Sequence, residues 1–76
     1  MEKHFVPAAI KLYVNYENEP AMGGNCSLPI VGFMVSEEDP GIVEVEPYDM
    51  DKSGCIGLAG GAAKVTYTTE PLFETI

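Results

Sequence analysis

The chain has no arginine and no tryptophan, and its four lysines stand against twelve aspartates and glutamates. With a formal net charge of -8 it cannot neutralise a row of phosphates, which excludes ordinary nucleic-acid binding and disfavours anionic membrane surfaces. No apolar run reaches the roughly 18 residues that a membrane-spanning helix needs. Residues 1–5 lack the apolar core of a signal peptide, so we expect a cytoplasmic protein.

Cysteine and histidine are also scarce. The two cysteines are Cys26 and Cys55, and His4 is the single histidine. A disulfide would close a loop of about 30 residues and contribute roughly 3.5 kcal/mol, but cytoplasmic thiols stay reduced, so we favour two free thiols over a bridge. These residues do not supply the ligand set of a zinc site. Nothing in the sequence places a nucleophile beside a base, and we therefore predict that the protein is not an enzyme.

The length and composition describe one small folding unit. The chain has 76 residues, of which 46% are hydrophobic and 21% are charged, so residues 1–76 are predicted to form a single domain. A core of this size leaves only about 3–5 kcal/mol of net stability, and such domains often gain support from a partner.

Alternation of apolar and polar residues predicts a mainly β fold. Residues 8–16 alternate with a period of two, which predicts a half-buried strand with Val14 and Tyr16 on one face and Asn15 on the other. Residues 20–29 are rich in proline and glycine and are predicted to form a loop. Residues 64–69 resume the alternation and predict a further strand.

The centre of the sequence predicts a β-hairpin. The apolar, β-branched segment 30–35 is typical of a buried strand, with Gly32 marking a bulge or a close approach of another chain segment. The acidic segment 36–41, which contains a Pro-Gly pair, predicts the turn. Residues 42–46 alternate again, which predicts Val43 and Val45 inside and the intervening glutamates outside. Together with the outer segments this indicates a small antiparallel sheet of about four strands.

Residues 54–63 are mostly glycine and alanine and leave few side chains to pack. Interior glycines each cost up to about 1 kcal/mol in a helix, so a short Gly/Ala-rich helix competes with a flat strand or a loop. After the last strand, Leu72 and Phe73 are expected to fold back onto the core.

Seven of the twelve acids fall between residues 37 and 51, with no lysine between the hairpin acids. They are Glu37, Glu38, Asp39, Glu44, Glu46, Asp49 and Asp51. Such a patch can steer a basic partner toward the protein, and we take these residues as the candidate partner-binding set. The same charges would also keep an edge strand from aggregating, and the sequence favours neither interpretation over the other.

Residues 49–56 resemble the start of an EF-hand calcium loop, because Asp49, Asp51 and Ser53 take the spacing of the first three oxygen ligands and Gly54 follows them. The position of the bidentate glutamate is occupied by Gly60, so calcium binding would be weak. The favoured interpretation is an acidic turn whose side chains accept hydrogen bonds from their own backbone, with no cofactor.

These observations predict a small acidic binding protein that acts as an inhibitor by occupying a basic, nucleic-acid-binding surface of a partner protein. Small virus-encoded inhibitors of bacterial defence complexes, such as anti-CRISPR proteins, have this profile of size and charge. A protein of that class would act in the host cytoplasm as a nucleic-acid mimic.

Two alternatives remain open at the level of sequence. A homo-oligomeric structural or small-ligand-sequestering module fits the apolar content of 46% and the unpaired edges of a small β domain. A weak calcium-binding module rests on Asp49, Asp51 and Ser53 alone.

Overall fold

The computed structural model describes residues 2–61 and 63–74. Within them the chain is mainly β, with six strands rather than the expected four or so. The strands are β1 (Glu2–Pro7), β2 (Tyr13–Glu19), β3 (Gly24–Asp39), β4 (Ile42–Met50), β5 (Ile56–Leu58) and β6 (Val65–Thr68). A 3-10 turn, Pro20–Met22, precedes β3 and ends at Gly23, which has a φ of 79°.

The 16-residue strand β3 is the centre of the sheet. Its first half pairs with β2, where Tyr13 lies opposite Pro29. Its second half lies between β1 and β4, where Phe5 and Glu46 both lie opposite Met34. β6 extends the sheet beyond β2, and β5 extends it beyond the last residues of β4. All pairs are antiparallel, and the molecule is elongated, with extents of 40 × 24 × 21 Å.

The core is small and lies at the β2 end of the sheet. Its buried members are Val14, Tyr16, Cys26, Leu28, Ile30 and Ala59. Val14 faces Leu28 and Tyr16 faces Cys26 across the β2–β3 pair, so one face of both strands contributes to this core. By contrast, β1 is exposed along its whole length, and so are residues 42–45 of β4.

The predicted close approach at Gly32 is confirmed. The ring of Phe5 lies over this glycine, and a Cβ atom there would also come within 2.6 Å of the backbone oxygen of Val6. The same ring meets Tyr48 edge to face, with ring centroids 6.0 Å apart. The register between β3 and β4 shifts between Ile30 and Gly32, which is the bulge. Only a residue without a side chain allows β1 to pack here.

Several predicted boundaries were wrong. The strand expected at 8–16 begins at Tyr13, and residues 8–12 instead connect β1 to β2. Residues 20–29, expected to form a loop, contain the 3-10 turn and the first residues of β3, because pairing with β2 outweighs the turn composition of this segment. Strand β1 was not predicted at all. All of its residues are exposed, and its sequence does not alternate between apolar and polar residues.

The hairpin of residues 30–35 with 42–46 is confirmed, although its strands run closer to the turn than expected. Val43 and Val45 are not inside, since 53% and 57% of their surfaces are exposed. Residues 54–61 form turns and the short strand β5 rather than a helix, and Gly54, Gly60 and Gly61 have positive φ angles that break a helix. Ala62, within the predicted Gly/Ala-rich segment, lies outside the described residues.

The strand predicted at 64–69 is confirmed as β6. Its residue Val65 is half-buried against the core, whereas Tyr67 is exposed. The segment after β6 folds back only in part: Phe73 is half-buried, and Leu72 is exposed.

Candidate functional site: the acidic hairpin

The β3–β4 hairpin turns at Pro40 and Gly41, where Gly41 has a φ of 87°. The Gly41 backbone N–H donates to a carboxylate oxygen of Glu37 at 3.4 Å, which helps to fix the turn. The register shift between Glu37 and Asp39 places Glu38 at a bulge beside it. Proline and glycine supply the turn geometry, and three consecutive acids are held at the end of the hairpin.

We name as the acidic hairpin the five carboxylates of residues 37–46. They are Glu37, Glu38, Asp39, Glu44 and Glu46. All are exposed except Glu46, which is half-buried. Because alternate residues of a strand share a face, Glu44 and Glu46 project together from one face of the sheet.

The tertiary structure brings one lysine to this surface. Lys3 lies opposite Ser36 on one side of β3, and Glu44 lies opposite the same serine on the other side. The three side chains therefore form a row on one face, with the lysine two strand spacings, about 10 Å, from the glutamate. The same strand brings Glu2 opposite Glu37, so the charge that Lys3 adds to this surface is matched by a further carboxylate near the tip. The sequence gives no direct signal of this neighbour, because the two residues lie far apart along the chain.

Away from the tip, the opposite face of the hairpin is lined mainly by apolar side chains that are exposed or half-buried. Val35 lies opposite both His4 and Val45, and Phe33 lies opposite Val6. Val6, Val43 and Val45 each expose between 43% and 57% of their surface. Phe33 packs against the core cluster, so the exposed strip continues from the core face of the sheet. We name this strip the apolar face. The sequence alternation identified these valines as one face, but it placed that face inside.

Asp49 stands apart from the acidic hairpin, because it is buried. Its carboxylate accepts a hydrogen bond from the Tyr16 hydroxyl at 2.6 Å, and that hydroxyl accepts one from the Gly60 backbone N–H at 3.0 Å. Burial raises the pKa of Asp49, with the nearby charge of Asp51 adding to the effect, while the Tyr16 hydrogen bond opposes it. Burial and the hydrogen bond to Asp49 raise the pKa of Tyr16 to about 12. Asp49 thus ties the end of β4 to the core.

Asp51 and Ser53 lie together in a turn. One carboxylate oxygen of Asp51 accepts hydrogen bonds from the Ser53 backbone N–H at 2.9 Å, the Ser53 hydroxyl at 2.7 Å and the Cys55 backbone N–H at 2.9 Å. These bonds, that from the Ser53 hydroxyl foremost, hold the pKa of Asp51 below its usual range. Asp49 turns instead toward Tyr16. All three candidate calcium ligands already have hydrogen-bond partners within the protein, Asp49 with Tyr16 and Asp51 with Ser53. The calcium interpretation stays a prediction.

The cysteines and the histidine lie in different parts of the fold. Cys26 is buried in the core, Cys55 is exposed, and both thiols are free. His4 is exposed on β1. Over residues 2–61 and 63–74, no group of three or more histidine, cysteine, aspartate or glutamate side chains is arranged to hold a metal ion.

The fold and this surface define a small antiparallel β protein with one acidic hairpin and an apolar face behind it. No family model matches the chain, and neither a curated protein nor a solved structure matches it. In the described ranges there is no helix of the length and apolarity that crossing a membrane requires.

Proposed function

We propose that this protein is a small non-enzymatic inhibitor that occupies a basic, nucleic-acid-binding surface of a partner protein. The class we have in mind is the virus-encoded inhibitor of a bacterial defence complex, of which anti-CRISPR proteins are the example, acting in the host cytoplasm. The observation that carries the proposal is the gathering of five carboxylates on one hairpin, four of them exposed. The excess of twelve acids over four lysines is thus concentrated on one part of the protein surface.

Geometry and charge both support this role. The β3–β4 hairpin forms part of an elongated molecule with a 40 Å long axis, and its strands carry acids on both faces and at the turn. A groove built to bind phosphates presents rows of lysine and arginine, to which such a hairpin is complementary. Long-range attraction of this kind chiefly raises the association rate and falls as salt screens the charges.

The test is displacement of a labelled DNA duplex from purified RNA-guided nuclease complexes. We expect the wild-type protein to displace the duplex from at least one complex of a panel. Replacing all five acids of the acidic hairpin with their amides should raise the concentration needed for half displacement at least about tenfold at low salt, since steering contributes factors of 10 or more to association. Added salt should reduce displacement by the wild-type protein more than displacement by the variant.

The chain offers a matched control for this experiment. Five acids lie outside residues 37–51, and one of them, Glu2, lies opposite Glu37 and is left unchanged. The other four lie away from the acidic hairpin: Glu17, Glu19, Glu70 and Glu74. Converting these four to glutamine makes nearly the same change in net charge at other places, and it should leave displacement close to wild type. Equal losses in both variants would show that net charge alone acts, and an inactive wild-type protein across the panel would contradict the inhibitor role.

The apolar face favours a second candidate, a homo-oligomeric module. Its exposed valines, Val6, Val43 and Val45, present a surface on the order of 250 Å², close to the size of the largest apolar patch on a typical monomer, which is often functional. If the face joins two copies, sedimentation at tens of micromolar protein should show a dimer. Val43→Lys should then raise the dissociation constant of the dimer at least about tenfold. A wild-type monomer at that concentration would rule this module out.

A further inference from the structure

The outer edge of β4 is open. Residues 42–46 pair with β3 on one side, whereas β5 pairs only with residues 48–50 on the other side. Among residues 2–61 and 63–74, no strand pairs with the second edge of residues 42–46. An exposed edge of this kind is a template for the addition of another strand.

The backbone groups that face this open edge can be identified. The backbone oxygen of Pro47 accepts from the Ala59 N–H at 2.9 Å, so residue 47 points its backbone groups away from β3. Alternate residues of an antiparallel strand point to the same edge, and Val45 and Val43 therefore direct their N–H and C=O groups outward. Pro47, which has no N–H, occupies the same outward series, where it costs no hydrogen bond to β3.

The side chains along this edge set the chemistry of the missing strand. Glu44 and Glu46 project from one face, and Val43 and Val45 project from the other. Directly opposed cross-strand pairs are favoured when their charges are opposite or when both are apolar. The complementary strand alternates lysine or arginine with β-branched apolar residues.

A second copy of this chain does not supply such a strand. The chain has no arginine, and its lysines at positions 3, 11, 52 and 64 are never two residues apart. The pattern therefore belongs to a different protein.

We propose that an extended segment of a partner protein, in which basic and β-branched apolar residues alternate, adds to the open edge of β4 alongside residues 42–46. This inference rests on the proposed function and gives its mode of contact: backbone hydrogen bonds to Val43 and Val45 supply affinity, and Glu44 and Glu46 select the cations. The hairpin then recognises an edge strand or flexible arm of the partner.

The probe is a capped six-residue peptide of alternating lysine and valine, and its control is the same composition with the lysines and valines in separate blocks. Binding is measured by titration calorimetry, and amide hydrogen exchange is followed by NMR. We expect the alternating peptide to bind at least fivefold more tightly than the block peptide. It should slow exchange at the amides of Val43 and Val45 more than at other exposed amides.

Two variants at one position separate backbone pairing from side-chain contact. Val45→Pro removes the outward N–H without touching the bonds to β3 and should weaken binding of the alternating peptide at least tenfold. Val45→Thr keeps the N–H and the β-branched shape, and it should stay within about threefold of wild type. Unchanged NMR signals from β2 and β6 in both variants show that the fold is kept.

Equal binding of the two peptides, or wild-type affinity in Val45→Pro, overturns the added strand and leaves the electrostatic inhibitor intact. If the alternating peptide binds as expected but the protein displaces no nucleic acid, the inhibitor fails and the added strand stands.

Discussion

Tyr16→Phe is expected to lower the free energy of unfolding by about 2–3 kcal/mol at neutral pH, since hydrogen bonds to charged groups are worth about 1.5–3 kcal/mol. The Tyr16 hydroxyl donates to Asp49 at 2.6 Å and accepts from Gly60 at 3.0 Å, and its removal leaves both partners unpaired. Asp49 is only 7% exposed, so water cannot replace the lost donor without a change in structure. Urea denaturation followed by circular dichroism measures the loss.

The loss should depend on pH. Because burial raises the pKa of Asp49, the folded state binds this proton more tightly than the unfolded state. The penalty of burying the carboxylate is therefore full above the raised pKa, and it is relieved as the pH falls through that value toward the ordinary 3.8. In the Tyr16→Phe variant the unpaired carboxylate takes up its proton more readily still, so the difference from wild type should shrink as the solution is acidified.

The alkaline side gives an independent check. The pKa of Tyr16 is about 12 in the folded protein against an ordinary 10.0, so its contribution to stability is fully present below pH 10 and is lost as the pH rises toward 12.

Asp49→Asn is the matched control for the acid side, because it keeps an acceptor for the tyrosine and removes the charge. If the loss of stability in Tyr16→Phe stays constant with pH, in the wild-type and Asp49→Asn backgrounds alike, the role assigned to the charged Asp49 carboxylate is contradicted.

Asn15→Ala is expected to lower the free energy of unfolding by about 2–4 kcal/mol, because a buried polar network loses its central residue and a cavity forms. Asn15 is 1% exposed. Its amide nitrogen donates to the Thr68 hydroxyl at 2.9 Å, and its amide oxygen accepts from the Ser27 hydroxyl at 2.6 Å and from the Leu72 N–H at 3.2 Å. The Ser27 hydroxyl in turn accepts from the Phe73 N–H at 2.9 Å, so the network ties the segment after β6 to the sheet.

Hydrogen exchange separates this effect from a general loss of stability. The amides of Leu72 and Phe73 should exchange much faster in Asn15→Ala, beyond the change that the global free energy of unfolding explains. Thr66→Val is the control, because the Thr66 hydroxyl is a longer contact of the same amide at 3.3 Å and Thr68 remains. We expect Thr66→Val to lower the free energy of unfolding by less than about 1 kcal/mol. Equal losses in the two variants would show that Asn15 is not the centre of the network.

The β character and the central hairpin were predictable from the sequence, because both depend on local signals. Residues 42–46 alternate with a period of two, and the Pro-Gly pair at 40–41 fixes the turn before them. The acidity of the hairpin is equally local, since its five carboxylates fall within ten residues of chain. The Asp51 turn also follows from neighbouring residues alone, since its acceptor and donors lie within four positions of one another.

Burial was not predictable in the same way. Alternation shows that the two faces of a strand differ, but it does not show which face another segment covers. Val43 and Val45 were assigned to the interior and are exposed, whereas the polar Asn15 is buried because the chain after β6 returns to cover it. Likewise, β1 forms because Gly32 leaves room for Phe5, and the partners of that contact lie in distant parts of the chain.

Local sequence signals are enough to predict a small acidic β protein with one carboxylate-rich hairpin, because charge, turn and strand propensity are properties of neighbouring residues. The pairing of distant strands places Asp49 against Tyr16 instead of on the acidic surface, brings Lys3 to that surface, and keeps the outer edge of β4 open. These outcomes depend on which distant strands pair. That pairing is set by the sum of many long-range contacts rather than by any local pattern.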